Sequence, residues 1–181
     1  MSEELDVLQE VAQRLAGAHI SYMVTGSMAA NFYAVPRMTR DIDVVIELSV
    51  RDVDRLVRLF ESDFYVDRDM IQTAVRGQGM FNLIHTRLLV KVDFVVRKDS
   101  PYRIEEFSRR RRVSLKGDEV FLVAPEDLIL SKLDWAKDSR SEVQLADVRG
   151  LLASVGDLDR EYLERWARRL GIEDLYREVS G

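Results

Sequence analysis

The sequence contains no cysteine, which excludes disulfides, thiolate metal sites and cysteine nucleophiles and fits a cytoplasmic protein. No apolar run is long enough to span a bilayer, and the N-terminus shows no secretory-signal pattern, so no membrane association is expected. The two histidines, His19 and His85, lack metal-ligand spacing and read as structural. Internal repeats, low-complexity tracts and long linkers are missing as well. Nor is there an overall excess of positive charge: the net charge of −5 over 181 residues argues against a protein that coats nucleic acid everywhere.

What remains is the composition of an ordinary soluble chain, long enough for one domain with a core, or one domain plus a helical appendage. Its charge is uneven. Residues 97–116, RKDSPYRIEEFSRRRRVSLK, hold eight Lys/Arg and three Asp/Glu, a local +5 that leaves −10 elsewhere. The four arginines at 109–112 read either as a solvated connection or as phosphate contacts to a tRNA-like acceptor.

Hydrophobic spacing organises the rest. Leu5, Leu8, Ala12 and Leu15 predict an amphipathic helix over 4–16, stopped at Gly17. SYMVT predicts a strand ending at Gly26-Ser27, followed by a brief helix broken before Pro36. DIDVVIE reads as a strand with Asp41, Asp43 and Val45 on one face and Ile42, Val44 and Ile46 on the other. Ser49 and Asp52 resemble a capping box that opens a helix to about Glu61. Then come strand-like DFYV, a short helix over DMIQTAV, and a hairpin of MFNLIH and RLLVKVDFVV that carries Asp93. EVFLVA reads as the last strand, and three amphipathic helices follow from Pro125. The pattern predicts an α/β (α+β) fold: a mixed sheet with helices over residues 1–123, then a small C-terminal helical region over 124–181.

Three aspartates set in apolar strands are the chemical feature of the chain. Asp41 and Asp43 have Cα atoms about 7 Å apart on one side of a strand. If Asp93 faces the same way from a neighbouring strand, three carboxylates converge and repel unless they are protonated or bound to cations. Oxygen-only ligands suit a hard ion, Mg2+ or Mn2+, which commonly also holds a substrate's phosphates. A glycine and a serine at a strand-to-helix junction, Gly26 and Ser27, let backbone N–H groups and a hydroxyl approach an anion. Plainer readings stand beside these. The aspartates could be edge-strand charges, Gly26-Ser27 a capped turn, and Lys91 a simple partner for Asp93. Lys132, on a helix face with Leu128 and Trp135, could bind phosphate or lay its stem along apolar surface.

Residues 24–46, VTGSMAANFYAVPRMTRDIDVVI, resemble the signature of the polymerase-beta-like nucleotidyltransferase superfamily. In that signature a hydrophobic residue precedes Gly and then Gly or Ser, and about ten residues later comes Asp-hydrophobic-Asp/Glu-hydrophobic. Gly26, Ser27, Asp41, Ile42, Asp43 and Val44 match it, Asp93 in VDFVV matches the third carboxylate, and Thr39 is typical of small prokaryotic members. The helical part is similar to AbiEii-type toxins and minimal relatives, in which Lys132 matches a lysine thought to meet the triphosphate; Asp127, Arg140 and Asp147 resemble charged positions there. Antitoxin-type members often carry an arginine just after Gly-Ser, where this chain has Ala29, Ala30 and Asn31.

The resemblance implies a metal-dependent nucleotidyltransferase with two Mg2+ or Mn2+ ions on Asp41, Asp43 and Asp93. Gly26, Ser27 and Lys132 would then bind the nucleotide, with an NTP as co-substrate. The acceptor would be RNA, tRNA or a protein, with a toxin–antitoxin or phage-defence role and a cognate partner protein. Two alternatives are a small-molecule, aminoglycoside-like nucleotidyltransferase and a non-catalytic nucleotide- or partner-binding module that kept the fold.

Overall fold

The computed structural model describes residues 3–181. Helix α1 (Glu3–Gly17) buries Val7, Leu8, Val11, Ala12 and Leu15 along one stripe. It ends as the spacing predicts, but Gly17 is its last helical residue. The left-handed residue that turns the chain is His19, at φ +53°, with the His19 and Ile20 amides closing onto the Ala16 and Leu15 carbonyls.

The strands are β1 (Tyr22–Thr25), β2 (Asp41–Ile46), β3 (Phe64–Tyr65), β4 (Met80–His85), β5 (Lys91–Val96), β6 (Arg111–Leu115) and β7 (Asp118–Leu122). They form one mixed sheet in the order β3-β4-β5-β2-β1-β7-β6. The central β2 runs parallel to β5 and antiparallel to β1. Helices α2 (Gly26–Tyr33), α3 (Val53–Phe60) and α4 (Arg68–Gly77) fall among the strands; α5 (Pro101–Ser108) follows β5, and α6 (Pro125–Ser139), α7 (Glu142–Ser154), α8 (Arg160–Leu170) and α9 (Glu173–Ser180) close the chain. The capping box at Ser49–Asp52 is present, opening a 3-10 turn that leads into α3.

Period-two alternation divides the side chains between two cores. Ile42, Val44 and Ile46 pack with Val92, Phe94 and the stripes of α1, α3 and α4 on one face. On the other face Met23 joins Ala29, Ala30 and the apolar sides of α6 to α9. That second layer does not reach Asp41, so part of the face stays open to solvent. No helix among the described residues is long and apolar enough to cross a membrane. His85 is buried, and its Nδ1 accepts from the Arg87 and Leu88 amides, so its part is structural.

Three elements escape the sequence pattern: α5, β6 and α9. Strand β6, RRVSL, hides among arginines and is joined to β7 by a two-residue turn, Lys116 at φ +53° and Gly117 at φ +94°. Positive φ at both turn residues matches the right-handed twist of a hairpin. The arginine run is not a free connection: its first two members are engaged and its last two, exposed, begin β6. Arg109 donates to Asp127 (2.9 Å) and Glu126 (3.1 Å), with its guanidinium 3.8 Å from the Tyr162 ring centroid. Arg110 lies over Phe107 and Phe121, Arg111 is 3.6 Å from Glu126, and Arg112 pairs with Glu119. These contacts fasten β6 to the first turn of α6.

Asp127 is fully buried there. Burial raises its carboxyl to about 6, although hydrogen bonds from Tyr162 and Arg109 pull the other way. The unfolded chain holds that proton only below about pH 3.9. Folding therefore takes up a proton between those values, and the associated stability is present at low pH and lost as pH rises through about 6. In urea unfolding from pH 4 to 7, the stability of the wild type relative to Asp127→Asn is expected to fall with rising pH; a flat difference would refute the assignment.

Candidate active site

Strand register brings the predicted residues together. Thr25 pairs with Asp43, Asp43 with Asp93, and Asp93 with Asn82, so four neighbouring strands place one row of side chains on one face. One step earlier, Asp41 pairs with Lys91 on that same face. Asp93 is 16% exposed at its side chain, while Asp41, at the strand end, is 58% exposed. Burial first, then the charges of Asp93 and Asp41, raise the Asp43 carboxyl above the usual carboxylate range, and Lys132 and Lys91 pull it back.

Lys91 answers part of this charge. Its ammonium is 2.7 Å from Asp93 and 3.8 Å from Asp41. The expected convergence of three carboxylates is therefore met in facing but not in closure: among the described residues, no three His, Cys, Asp or Glu side chains are grouped so as to hold a metal ion.

Gly26 is where β1 turns into α2, at φ +64°. A Cβ at this position would lie 2.0 Å from Asp43 Oδ2 and 2.7 Å from its Cγ. The glycine is thus required twice, by its left-handed backbone and by the carboxylate pressed against it. Ser27 follows in the first turn of α2. Its Oγ accepts from Arg37, whose Nε and second nitrogen also donate to Asp147 at 2.9 and 3.0 Å. Asn31 holds this arginine in place, its amide both accepting from the Arg37 N–H and donating to the Arg37 carbonyl. An arginine thus does reach Ser27, from the loop before β2 rather than from α2.

Lys132 projects from α6 and is 4% exposed. It donates to Asp147 (2.8 Å) and Gln144 (3.0 Å), both on α7. Burial works against the Asp147 charge, yet hydrogen bonds from Arg37 and Lys132 hold its carboxyl below the usual range. Gly26, Ser27, Asp43, Asp93 and Lys132 line one cleft of about 330 Å3, together with Gln144 and Trp135. Asp41 is on the same strand face but outside that lining. Arg140 caps α6 in a left-handed conformation and pairs with Glu178 on the surface, away from the cleft.

No protein-family model and no curated protein matches the sequence. Solved structures do. The chain aligns with an antigenic nucleotidyltransferase-like protein from Paracoccidioides brasiliensis over 99% of its own length and 93% of the other, at TM-score 0.64 and 20% identity. The fold is that of the nucleotidyltransferases. A second nucleotidyltransferase-fold structure, the antibiotic-resistance factor ANT(2'')-Ia, aligns over 96% and 97% of the two chains at TM-score 0.59 and 14% identity. The lincosamide antibiotic adenylyltransferase LnuA, bound to lincomycin, aligns over 86% and 98% at TM-score 0.55 and 11% identity.

Arg37, Gln144 and the anchoring part of Asp147 were not legible as site features, whereas the pairing of Lys91 with Asp93 was. Arg37 lies in an irregular loop ten residues from Ser27, and nothing local signals the contact. Asp147 meets Lys132 only across a helical hairpin. The Gly26 constraint yields a direct test: Gly26→Ala is expected to lower unfolding stability by more than about 1 kcal/mol, the usual cost of a left-handed alanine. Gly117→Ala, at positive φ with nothing within 4 Å, is the strain-only control and should lose less. Equal losses would remove the collision with Asp43 as a cause.

Proposed function

We propose that the chain is a metal-dependent nucleotidyltransferase, moving a nucleoside monophosphate from an NTP to an acceptor hydroxyl. One observation carries the reading: a carboxylate row on neighbouring strands shares a cleft with a glycine-serine helix start and a buried lysine. The donor set fits a hard divalent cation in kind, being oxygen only, and in charge, since burial and then the charges of Asp93 and Asp41 raise Asp43. Asp41, Asp43 and Asp93 would hold two Mg2+ or Mn2+ ions, which supply the positive charge that screens the triphosphate and stabilises in-line displacement.

The chain's own residues divide the remaining tasks. The Gly26 and Ser27 backbone and the Ser27 hydroxyl hold the β- and γ-phosphates at the start of α2. Lys132 stabilises the departing pyrophosphate, and Arg37, already at Ser27, adds a second cation there. Asp93 orients the acceptor hydroxyl and takes its proton as the new bond to the α-phosphorus forms and the bond to pyrophosphate breaks. Catalysis of this kind is mostly positioning and charge stabilisation.

For the acceptor, RNA, tRNA or protein within a toxin–antitoxin or phage-defence pair is one reading. A specific observation favours the small-molecule alternative: within the basic run that suggested nucleic acid, Arg109 is engaged by Glu126 and Asp127 and Arg110 by aromatic rings. Incubation with labelled NTPs, Mg2+, total tRNA, an aminoglycoside and lincosamide panel and the product of the adjacent gene separates these readings by which acceptor gains label.

Two variants test the mechanism. Asp43→Asn is expected to reduce transfer by about two orders of magnitude or more and to weaken Mn2+ binding while the thermal transition is kept or raised, since a costly buried charge is removed; unchanged turnover would refute the scheme. Asp147→Asn touches no phosphate in this scheme but releases Arg37 and Lys132. It should raise KM for the NTP about tenfold with a smaller change in kcat, whereas a fall in kcat alone would deny Asp147 that positioning part.

A further inference from the structure

Trp135 is 70% exposed, although its neighbours Leu133 and Ala136 on α6 are fully buried. A tryptophan left in water forgoes a large burial term, and the second tryptophan of the chain, Trp166, is 5% exposed in the core. Trp135 is not loose on the surface. It lines the candidate cleft one turn beyond Lys132.

The cleft lining is of two kinds. Thr25, Gly26, Ser27, Ser131, Lys132 and Gln144 make up its polar half, together with the carboxylates Asp43 and Asp93. Met80, Val95, Leu128 and Trp135 form an apolar half. Met80, itself 52% exposed, is paired across the sheet with Val95 two residues beyond Asp93, so this half extends along β5 away from the carboxylates. Neither Met80 nor Trp135 is needed for the core.

We propose that the apolar half is a stacking slot for the planar base of the nucleoside triphosphate, with Trp135 as its platform and Met80 and Val95 opposite. The inference rests on the nucleotidyltransferase reading and adds to it how the nucleoside end is held. Displacement in line places the acceptor opposite the departing pyrophosphate. With pyrophosphate at Ser27 and Lys132, the acceptor approaches from the solvent side of Asp41 and Lys91, outside the cleft lining. The base is then the group left for the apolar slot. Stacking tolerates any base and strengthens with ring area, so the slot favours purines over pyrimidines.

Calorimetric titration of the full chain in excess Mn2+ with ATP, CTP and inorganic tripolyphosphate tests this. The wild type is expected to bind ATP about 5- to 100-fold more tightly than tripolyphosphate, with CTP between them. Trp135→Ala should bring ATP down to the tripolyphosphate value while leaving tripolyphosphate affinity unchanged. Because Trp135 is exposed, its loss should leave the thermal transition in place. Fluorescence should be quenched by ATP, not by tripolyphosphate, and not in Trp135→Ala, where Trp166 alone emits. Equal ATP affinity in the wild type and Trp135→Ala overturns the slot and leaves the nucleotide reading standing. Absence of binding by both ATP and tripolyphosphate overturns the nucleotide reading and the slot with it.

Discussion

The in-register pairing of Asp43 with Asp93 on adjacent parallel strands is the constraint around which the structure is arranged. Two carboxylates side by side at the middle of a sheet cost free energy that the apolar packing beneath them must offset. The opposite face of the same strands provides that packing, where Ile42, Val44, Val92 and Phe94 are wholly buried. On the acidic face two cations act on Asp43, Lys91 from β5 and Lys132 from α6, while Arg37 from the loop before β2 is held at Ser27 and Asp147.

The C-terminal helices are therefore more than a cover. Asp147 on α7 takes both Lys132 and Arg37, and Arg37 continues to Ser27, so one acidic side chain links α6, α7 and the start of α2. A polar chain of this kind fixes the Ser27–Lys132 end of the cleft before any ligand arrives, which is what preorganised electrostatic stabilisation would require of the proposed reaction. The arginine run serves the same pair of layers from the far side, joining β6 to the buried acids of α6.

Much of this was legible from spacing alone. Alternation in DIDVVI assigned Asp41 and Asp43 to one face, because a period of two leaves no other choice, whereas the facing of Asp93 follows only from the register of β5 against β2. Gly26-Ser27 gained meaning from its order relative to those aspartates. The unread parts share a physical cause. Arg37, Asp147 and Gln144 act through contacts between elements distant in sequence, and β6 carries too few apolar residues to show its pairing. The charge count of residues 97–116 misled for a related reason: a net charge records neither direction nor partner, and most of those arginines face acids or rings.

The close approach of Gly26 to Asp43 ties two positions seventeen residues apart into a single heritable unit. Any larger side chain at 26 must displace the Asp43 carboxylate as well as accept a left-handed backbone, so a change at one position is felt at the other. Loss of the acid at 43 would remove the collision but not the left-handed backbone at φ +64°, so the turn continues to favour glycine.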